Sequence, residues 1–263
     1  MSNWTIKVLY FGYTAGQTPD HKEWAIPWLG YYLTDGRHKV LCDTGVKDGF
    51  FKDGKSPFGL PSEGDESFVL QALDGIKVKP GEMDLVIYTH FHWDHVGNCH
   101  LFPQAVHVFQ DQEYKELLDP LPSMQFLTVY DQRVIPELQK LKCQRVSGDA
   151  ELLDGLELIH APGHSAGGQC LRVKTKAGTY VITGDLFNTY LMAYPETEEW
   201  YRLDGTRTTL DPEARKMLFS SFIMTVYDHY AWYRSQYRIK AMAPSPEYLL
   251  PSHDAKLLGR TFG

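Results

Sequence analysis

The feature that most constrains this chain is the stretch Thr89-His90-Phe91-His92-Trp93-Asp94-His95-Val96-Gly97-Asn98. Three of the chain's 11 histidines and one aspartate crowd into positions 90–95. With this chain's residue frequencies, an H-x-H-x-D-H match arises by chance in roughly one chain of this size in a thousand. The preceding Asp84–Thr89 is a short apolar run typical of a buried strand, so the cluster is expected at a strand's C-terminal end. Side chains of an extended segment alternate, so His90 and His92 point the same way. Two neutral imidazoles on one side form a chelating pair for zinc or a similar metal. Asp94 and His95 follow where the chain turns and suit a second ion beside the first. Two ions a few ångströms apart form a clamp for hydrolysis.

A binuclear site needs more ligands, and three loop positions after β-like runs supply candidates. They are His164 in Ala161-Pro162-Gly163-His164-Ser165, Asp185 in Thr183-Gly184-Asp185, and His253 in Leu250-Pro251-Ser252-His253-Asp254. A carboxylate such as Asp185 can bridge two cations, which a histidine does not normally do.

Strand and helix signals are mixed along the whole chain. Trp4–Phe11 alternates as a half-buried strand does, and Trp28–Thr34 with Lys39–Asp43 reads as a hairpin. Further strands are expected at Ala105–Phe109, Gln144–Val146, Leu156–His160, Gln169–Thr175, Thr179–Thr183 and Glu247–Leu250. Helices are expected at Glu66–Leu73 and Gln110–Leu118. Asp211-Pro212-Glu213 starts one long helix or two abutting ones before Pro244. With no repeat, low-complexity tract or linker, residues 1–263 read as one α/β or α+β domain.

The pattern H-x-H-x-D-H, a later His, an Asp and a last His resembles the metallo-β-lactamase superfamily. The resemblance covers roughly positions 5 to 256. It implies an αββα sandwich, two central mixed sheets flanked by helices. It also implies two divalent metal ions per chain, with Zn favoured and Mn, Fe or Co as alternatives. By analogy His90, His92 and His164 hold one ion, Asp94, His95 and His253 the other, and Asp185 bridges. Asp43 in "VLCDTG" resembles the family's early aspartate that supports ligand histidines.

Within that superfamily the chain most resembles the N-acyl homoserine lactonases. The shared order is Ala25-Ile26-Pro27-Trp28 running into the hairpin, Asp43-Thr44-Gly45, the metal motif, "PGHS" and "DPE" before the last ligand. The resemblance implies opening of a lactone ring by hydroxide formed between two metal ions. Hydrolysis of another ester, a thioester or a phosphoester is the alternative chemistry, and a non-catalytic sensor is the alternative class. Residues 254–263 alone follow His253, so a C-terminal glutathione-binding region is not expected. Asp94 is the candidate for passing a proton to the leaving alkoxide. Lactonases of the family often carry a tyrosine three residues after the bridging aspartate, where this chain has Asn188. Tyr190 is therefore the catalytic candidate for hydrogen-bonding the substrate carbonyl. Phe91, Trp93, Trp24 and Trp28 are candidates for the apolar wall of the substrate pocket. The stretch near 187–210 reads as an aromatic-rich insertion, and it is a candidate surface for a homodimer.

Gly163-His164-Ser165-Ala166-Gly167 also matches the G-x-S-x-G elbow of serine hydrolases, with Ser165 as nucleophile. That elbow joins a strand to a helix, whereas Cys170-Leu171-Arg172-Val173 reads as a strand. It also leaves positions 90–95 unexplained. The remaining histidines, His21, His38, His100, His107, His160 and His229, read as ordinary surface or core residues.

Bulk properties exclude several classes. A formal net charge of -7 argues against a nucleic-acid partner. Cys42, Cys99, Cys143 and Cys170 form no C-x-x-C pair and read as reduced thiols, which points to a cytoplasmic protein acting on a small molecule. The start of the chain has no signal-peptide pattern, and no run of 18 apolar residues suggests a membrane span.

Overall fold

The computed structural model describes residues 3–17 and 23–263. His21 and the first two residues, which entered the reading of the N-terminus, lie outside the described residues. In chain order the elements begin β1 (Thr5–Gln17), β2 (Glu23–Thr34), β3 (Lys39–Cys42), β4 (Ser62–Glu63), α1 (Glu66–Gly75) and β5 (Leu85–Ile87). Then come α2 (Trp93–Val96), β6 (Val106–Gln110), α3 (Asp111–Leu118), α4 (Pro122–Phe126), α5 (Ile135–Leu138) and β7 (Lys142–Val146). They are followed by β8 (Ala150–Leu153), β9 (Leu156–His160), β10 (Gln169–Thr175), β11 (Gly178–Gly184) and α6 (Tyr190–Ala193). The chain continues through β12 (Glu199–Tyr201), β13 (Arg207–Thr209), α7 (Pro212–Ile223), α8 (His229–Met242), β14 (Leu249–Pro251) and β15 (Thr261–Phe262).

Hydrogen bonding gathers these strands into an eight-stranded sheet, β15-β1-β2-β3-β5-β6-β7 with β4 on β1, and a five-stranded sheet, β14-β11-β10-β9-β8. Both are mixed. β3, β5, β6 and β7 run parallel, and β14 lies parallel to β11 in the second sheet. Period-two alternation sets the layers. Along β2, Leu29, Tyr31 and Leu33 enter one apolar cluster, which also takes Leu156, Leu158, Leu171, Val173 and Ile182 from the second sheet. Trp28 and Tyr32 face the other way, against Val69 and Leu73 of α1 and Leu117 of α3. On the far side, Ile159, Cys170 and Val181 pack on Trp232 and Ile239 of α8. The order is helix, sheet, sheet, helix, the αββα sandwich expected. Each fully buried Leu, Ile or Val contributes about 1.5–3 kcal/mol to holding these layers together.

Several boundaries differ from the sequence reading. The strand expected at Trp4–Phe11 continues to Gln17, because the register shifts between Tyr10 and Tyr13 and breaks the alternation that would have revealed it. The span after Asp211 is two helices. Asp211 caps the first by accepting from the Ala214 N–H at 2.8 Å, and Asp228 caps the second by accepting from the Ala231 N–H at 3.0 Å. Between them the N–H groups of Tyr227 and Asp228 donate to the carbonyls of His164 and Gly163, so they are not available to continue α7. The stretch 187–210 holds α6 and the β12–β13 ribbon. The four cysteines are free, and all but Cys143 are buried. Among the described residues no helix is long and apolar enough to cross a membrane.

Candidate metal centre

Strand ends bring the ligand candidates together. β5 leads through Tyr88 and Thr89 to His90, and α2 starts directly after His92, so its first turn carries Asp94 and His95. The loop between β9 and β10 carries His164, β11 ends at Asp185, and β14 leads to His253. Gly184 makes the approach of β11 possible. Its φ is +52°, and a Cβ there would lie 2.6 Å from the Thr89 Cβ.

Among the described residues two triads, His90 with His92 and His164 and Asp94 with His95 and His253, flank a third group that joins His90 and His95 to Asp185. In each, the potential ligand atoms lie within 4.8 Å of one another. Asp185 stands between them. Its Oδ2 is 3.4 Å from His164 Nε2 and 4.0 Å from His90 Nε2. Its Oδ1 is 2.9 Å from His253 Nε2 and 3.3 Å from His95 Nε2. One carboxylate oxygen therefore faces each triad. Asp94 Oδ2 lies 3.5 Å from His253 Nε2 and 3.7 Å from His95 Nε2.

The donors fit divalent cations. The Nε2 atom of His90 is buried without a hydrogen bond, a cost of about 1–3 kcal/mol unless something pairs with it. His164 Nε2 and His92 Nδ1 face each other at 3.0 Å. Burial pushes the pKa of His90, His92 and His164 down, that of His164 to about 4, so these rings stay neutral, as a ligand must. Burial pushes the Asp185 carboxyl up, but His253 and His95 outweigh it and hold the group well below the usual carboxylate range. An all-nitrogen and oxygen set of this kind suits Zn, Mn, Fe or Co.

Hydrogen bonds fix which ring nitrogen faces the centre. Asp43 accepts from His95 Nδ1 at 2.9 Å and from the Thr89 hydroxyl at 2.8 Å, and Thr89 Oγ1 lies 3.1 Å from His90 Nδ1. His253 Nδ1 donates to the Pro27 carbonyl at 3.0 Å. With Nδ1 tied to these acceptors, Nε2 is the nitrogen of these rings that faces the centre. Asp43 has φ +63°, an uncommon conformation for a residue other than glycine, and its carboxylate also accepts from the Thr89 N–H at 2.8 Å.

One participant was not found from sequence. Glu113, on α3, is buried and accepts from the Phe91 N–H at 2.9 Å, the Ser165 hydroxyl at 2.7 Å and the Gly167 N–H at 2.8 Å. In sequence it sits among Asp111, Gln112, Lys115 and Glu116 and reads as a solvated helix face, so no local signal marks it. The same contact corrects the serine-hydrolase alternative. Ser165 is fully buried and spends its hydroxyl on Glu113.

An open cleft of about 320 Å³ leads to the centre, and its floor includes His92, Asp94, His164, Asp185 and His253. Trp24, Trp28 and Trp93 line it, as expected of them. Phe91 does not. It is fully buried and packs against Tyr88 and Phe109 with ring centroids 5.3 and 4.7 Å away, because on an extended segment it points opposite to its flanking histidines. Tyr190 is a second correction. Its hydroxyl donates to the Leu249 carbonyl at 2.8 Å within the core between the sheets. Asn188 lines the cleft instead, and its side-chain amide donates to Asp185 Oδ2 at 2.8 Å. Phe222 and Met217 of α7 complete an apolar wall that sequence reasoning did not assign.

Comparison with known proteins agrees with this geometry. A profile of the metallo-beta-lactamase superfamily matches residues 30–253. An N-acyl homoserine lactonase from Bacillus cereus is 28% identical over 171 residues, which span 61% of this chain and 64% of that protein. The N-acyl homoserine lactonase AiiA from Bacillus thuringiensis subsp. kurstaki is 26% identical over 202 residues, 69% of this chain and 76% of that protein. The crystal structure of a quorum-quenching N-acyl homoserine lactone lactonase superposes with a TM-score of 0.72, at 21% identity, covering 97% of this chain and 93% of that one.

Proposed function

The chain belongs to the metallo-β-lactamase superfamily, and from that premise we propose that it is a hydrolase holding two divalent metal ions that opens a neutral lactone ring. N-acyl homoserine lactones are the leading substrates and zinc the leading metal. The observation that carries the choice of substrate is the lining of the cleft. Among the described residues it has no lysine or arginine, and Trp24, Ile26, Trp28, Phe58, Leu60 and Phe222 supply an apolar wall. Nucleotide thioesters carry phosphate charge remote from the reacting carbonyl, which such a wall leaves unpaired at a cost of several kcal/mol. A neutral ester with an apolar tail incurs no such cost. The naming of the Bacillus relatives as N-acyl homoserine lactonases supports the same reading.

When bound, the ions supply Lewis acidity and lower the pKa of water toward neutrality. The chain's own residues do the rest. Asp185, held ionised, keeps both triads at fixed separation and is itself held by Asn188 and by the Ser252 hydroxyl. Asp94 reaches the cleft, so it is placed to carry a proton to the leaving alkoxide. Trp24, Trp28 and Trp93 exclude water from the acyl side.

The test is a hydrolysis panel on zinc-loaded protein, following acid release from an N-acyl homoserine lactone, an aliphatic lactone, an aryl thioester and a phosphodiester. Turnover of the lactones that disappears on chelation is expected. Turnover confined to the phosphodiester would overturn the reading.

A further inference from the structure

We propose that Glu113 is the positioning residue of the three-histidine half of the centre, setting that half's affinity for its ion without touching the ion. The inference rests on the two-ion reading above. Its basis is one carboxylate that ties together both chain segments supplying the half. Glu113 Oε1 takes the Phe91 N–H, the peptide group between His90 and His92, at 2.9 Å. Its Oε2 takes the Ser165 hydroxyl at 2.7 Å and the Gly167 N–H at 2.8 Å, just after His164. The loop is pressed onto α3 so closely that a Cβ on Gly167 would lie 2.4 Å from the Glu113 backbone nitrogen. Tyr130 adds a third element. Its hydroxyl is 3.5 Å from Glu113 Oε1, and its ring meets the His92 ring edge-on at 5.1 Å.

The other half is held differently. His95 bonds directly to Asp43, and His253 to the Pro27 carbonyl. Asp43 reaches His90 through Thr89, but among the described residues no hydrogen bond carries it on to His92 or His164. The segments that carry those two rings are joined to each other by Glu113, while the Tyr227 N–H on the His164 carbonyl and the Trp93 N–H on the Val129 carbonyl hold each one separately. Every group around the Glu113 oxygens is a donor. An isosteric glutamine must therefore turn its NH₂ toward the Phe91 N–H or the Gly167 N–H and break one side of the bridge. An apolar residue in place of Glu113 would leave the Phe91, Ser165 and Gly167 donors buried without this partner.

Partners that orient metal ligands typically account for 10–100-fold in affinity. The test titrates metal-free wild type, Glu113→Gln, Ser165→Ala and Asp43→Asn with Zn²⁺ against a chromophoric chelator. Thermal unfolding of each metal-free protein is recorded alongside. Wild type should take two ions. Glu113→Gln should weaken one binding step 10–100-fold and leave the other within about threefold. Ser165→Ala, which removes one of the three short bonds, should weaken the same step less, and it carries the test if Glu113→Gln does not fold. Asp43→Asn should move both steps, because Asp43 serves His95 directly and His90 through Thr89. Equal weakening of both steps by Glu113→Gln, or unchanged affinities with a lowered melting temperature, would overturn the proposal and make Glu113 a core staple. A wild-type protein that binds a single ion would overturn the two-ion reading, and this inference with it.

Discussion

Replacing Tyr190 by phenylalanine should cost stability and leave turnover alone. The hydroxyl is buried and donates to the Leu249 carbonyl at 2.8 Å, on the strand that leads into His253. Burial pushes the phenol's pKa up, so it stays a neutral donor at all working pH values. A neutral buried hydrogen bond contributes about 0.5–1.5 kcal/mol net, and a carbonyl left without its partner costs about 1–3 kcal/mol. The phenylalanine keeps the ring, its place in the core between the sheets and its contact with the Lys256 ammonium, 5.0 Å from the ring centroid. The loss is therefore set at about 1–2 kcal/mol. At about 2–4 °C per kcal/mol for a domain of this size, the melting temperature should fall by about 2–8 °C. Differential scanning calorimetry on metal-loaded protein reads this directly, with steady-state kinetics on a lactone in parallel. Had the hydroxyl served developing oxyanion charge, kcat would fall by a factor of roughly a hundred or more. A fall of that size, with intact metal content and an unchanged melting temperature, would refute the structural placement of Tyr190.

Ser165→Ala at saturating zinc should keep lactone turnover within a few-fold, whereas chelation of the wild type should abolish it; activity that survives chelation and dies with Ser165 would reinstate the serine mechanism. Ser56→Ala should raise KM more than it lowers kcat, because the buried Ser56 hydroxyl lines the cleft with no hydrogen-bond partner and is free to meet a polar group of the substrate; unchanged KM across acyl substrates would count against it. In the metal-free protein the His164 ring should titrate near pH 4, followed by its NMR ring-proton shifts. The sign follows from that value: the unfolded chain takes up this proton near the ordinary value of about 6.5 and the fold does not, so His164 removes stability as pH falls from there to about 4. A His164 titration midpoint above 6 would contradict its burial. Asn188→Ala should lower metal affinity, because Asp185 loses the amide that holds its Oδ2; chelator competition measures it, and no change would show that Ser252 suffices.

The centre was far more legible in the sequence than its surroundings. Ligation chemistry restricts a position to a few residue types, so His90, His92, Asp94, His95, His164, Asp185 and His253 are visible as a pattern, and the fold brings them together. The strands Leu156–His160 and Gln169–Thr175 were legible too, because a sheet buried on both faces leaves an apolar run bounded by turn residues. What failed were roles decided by direction. Phe91 and Tyr190 are aromatic residues near the ligands in sequence, but each points into a core, and composition does not encode that. Glu113 failed for the converse reason, since a buried glutamate looks like a surface one until its three donors are in place. The span after Asp211 read as one long helix or two abutting ones, and the place of the break was hidden because it is made by tertiary hydrogen bonds to Gly163 and His164, with no glycine or proline at the break itself.

The hydrogen bond from His253 to the Pro27 carbonyl has a consequence for the order in which the molecule assembles. It joins positions 226 residues apart, so closing it encircles most of the chain. Closing a flexible loop of that length costs about 5 kcal/mol in chain entropy, growing only as its logarithm, and the surrounding sheets must already be in place to offset it. On a chain emerging from the ribosome, His90, His92 and His164 are all made before His253. The stretch from 164 to 253 takes on the order of 10 s to synthesise at ordinary elongation rates. On the proposed two-ion reading, the three-histidine half is thus the first ion trap the nascent protein can present. The second half waits for the C-terminal strand β14 to dock beside β11 and for the first hairpin to receive the last imidazole. Direction of translation, and not affinity alone, then decides which half meets the cell's metal pool first.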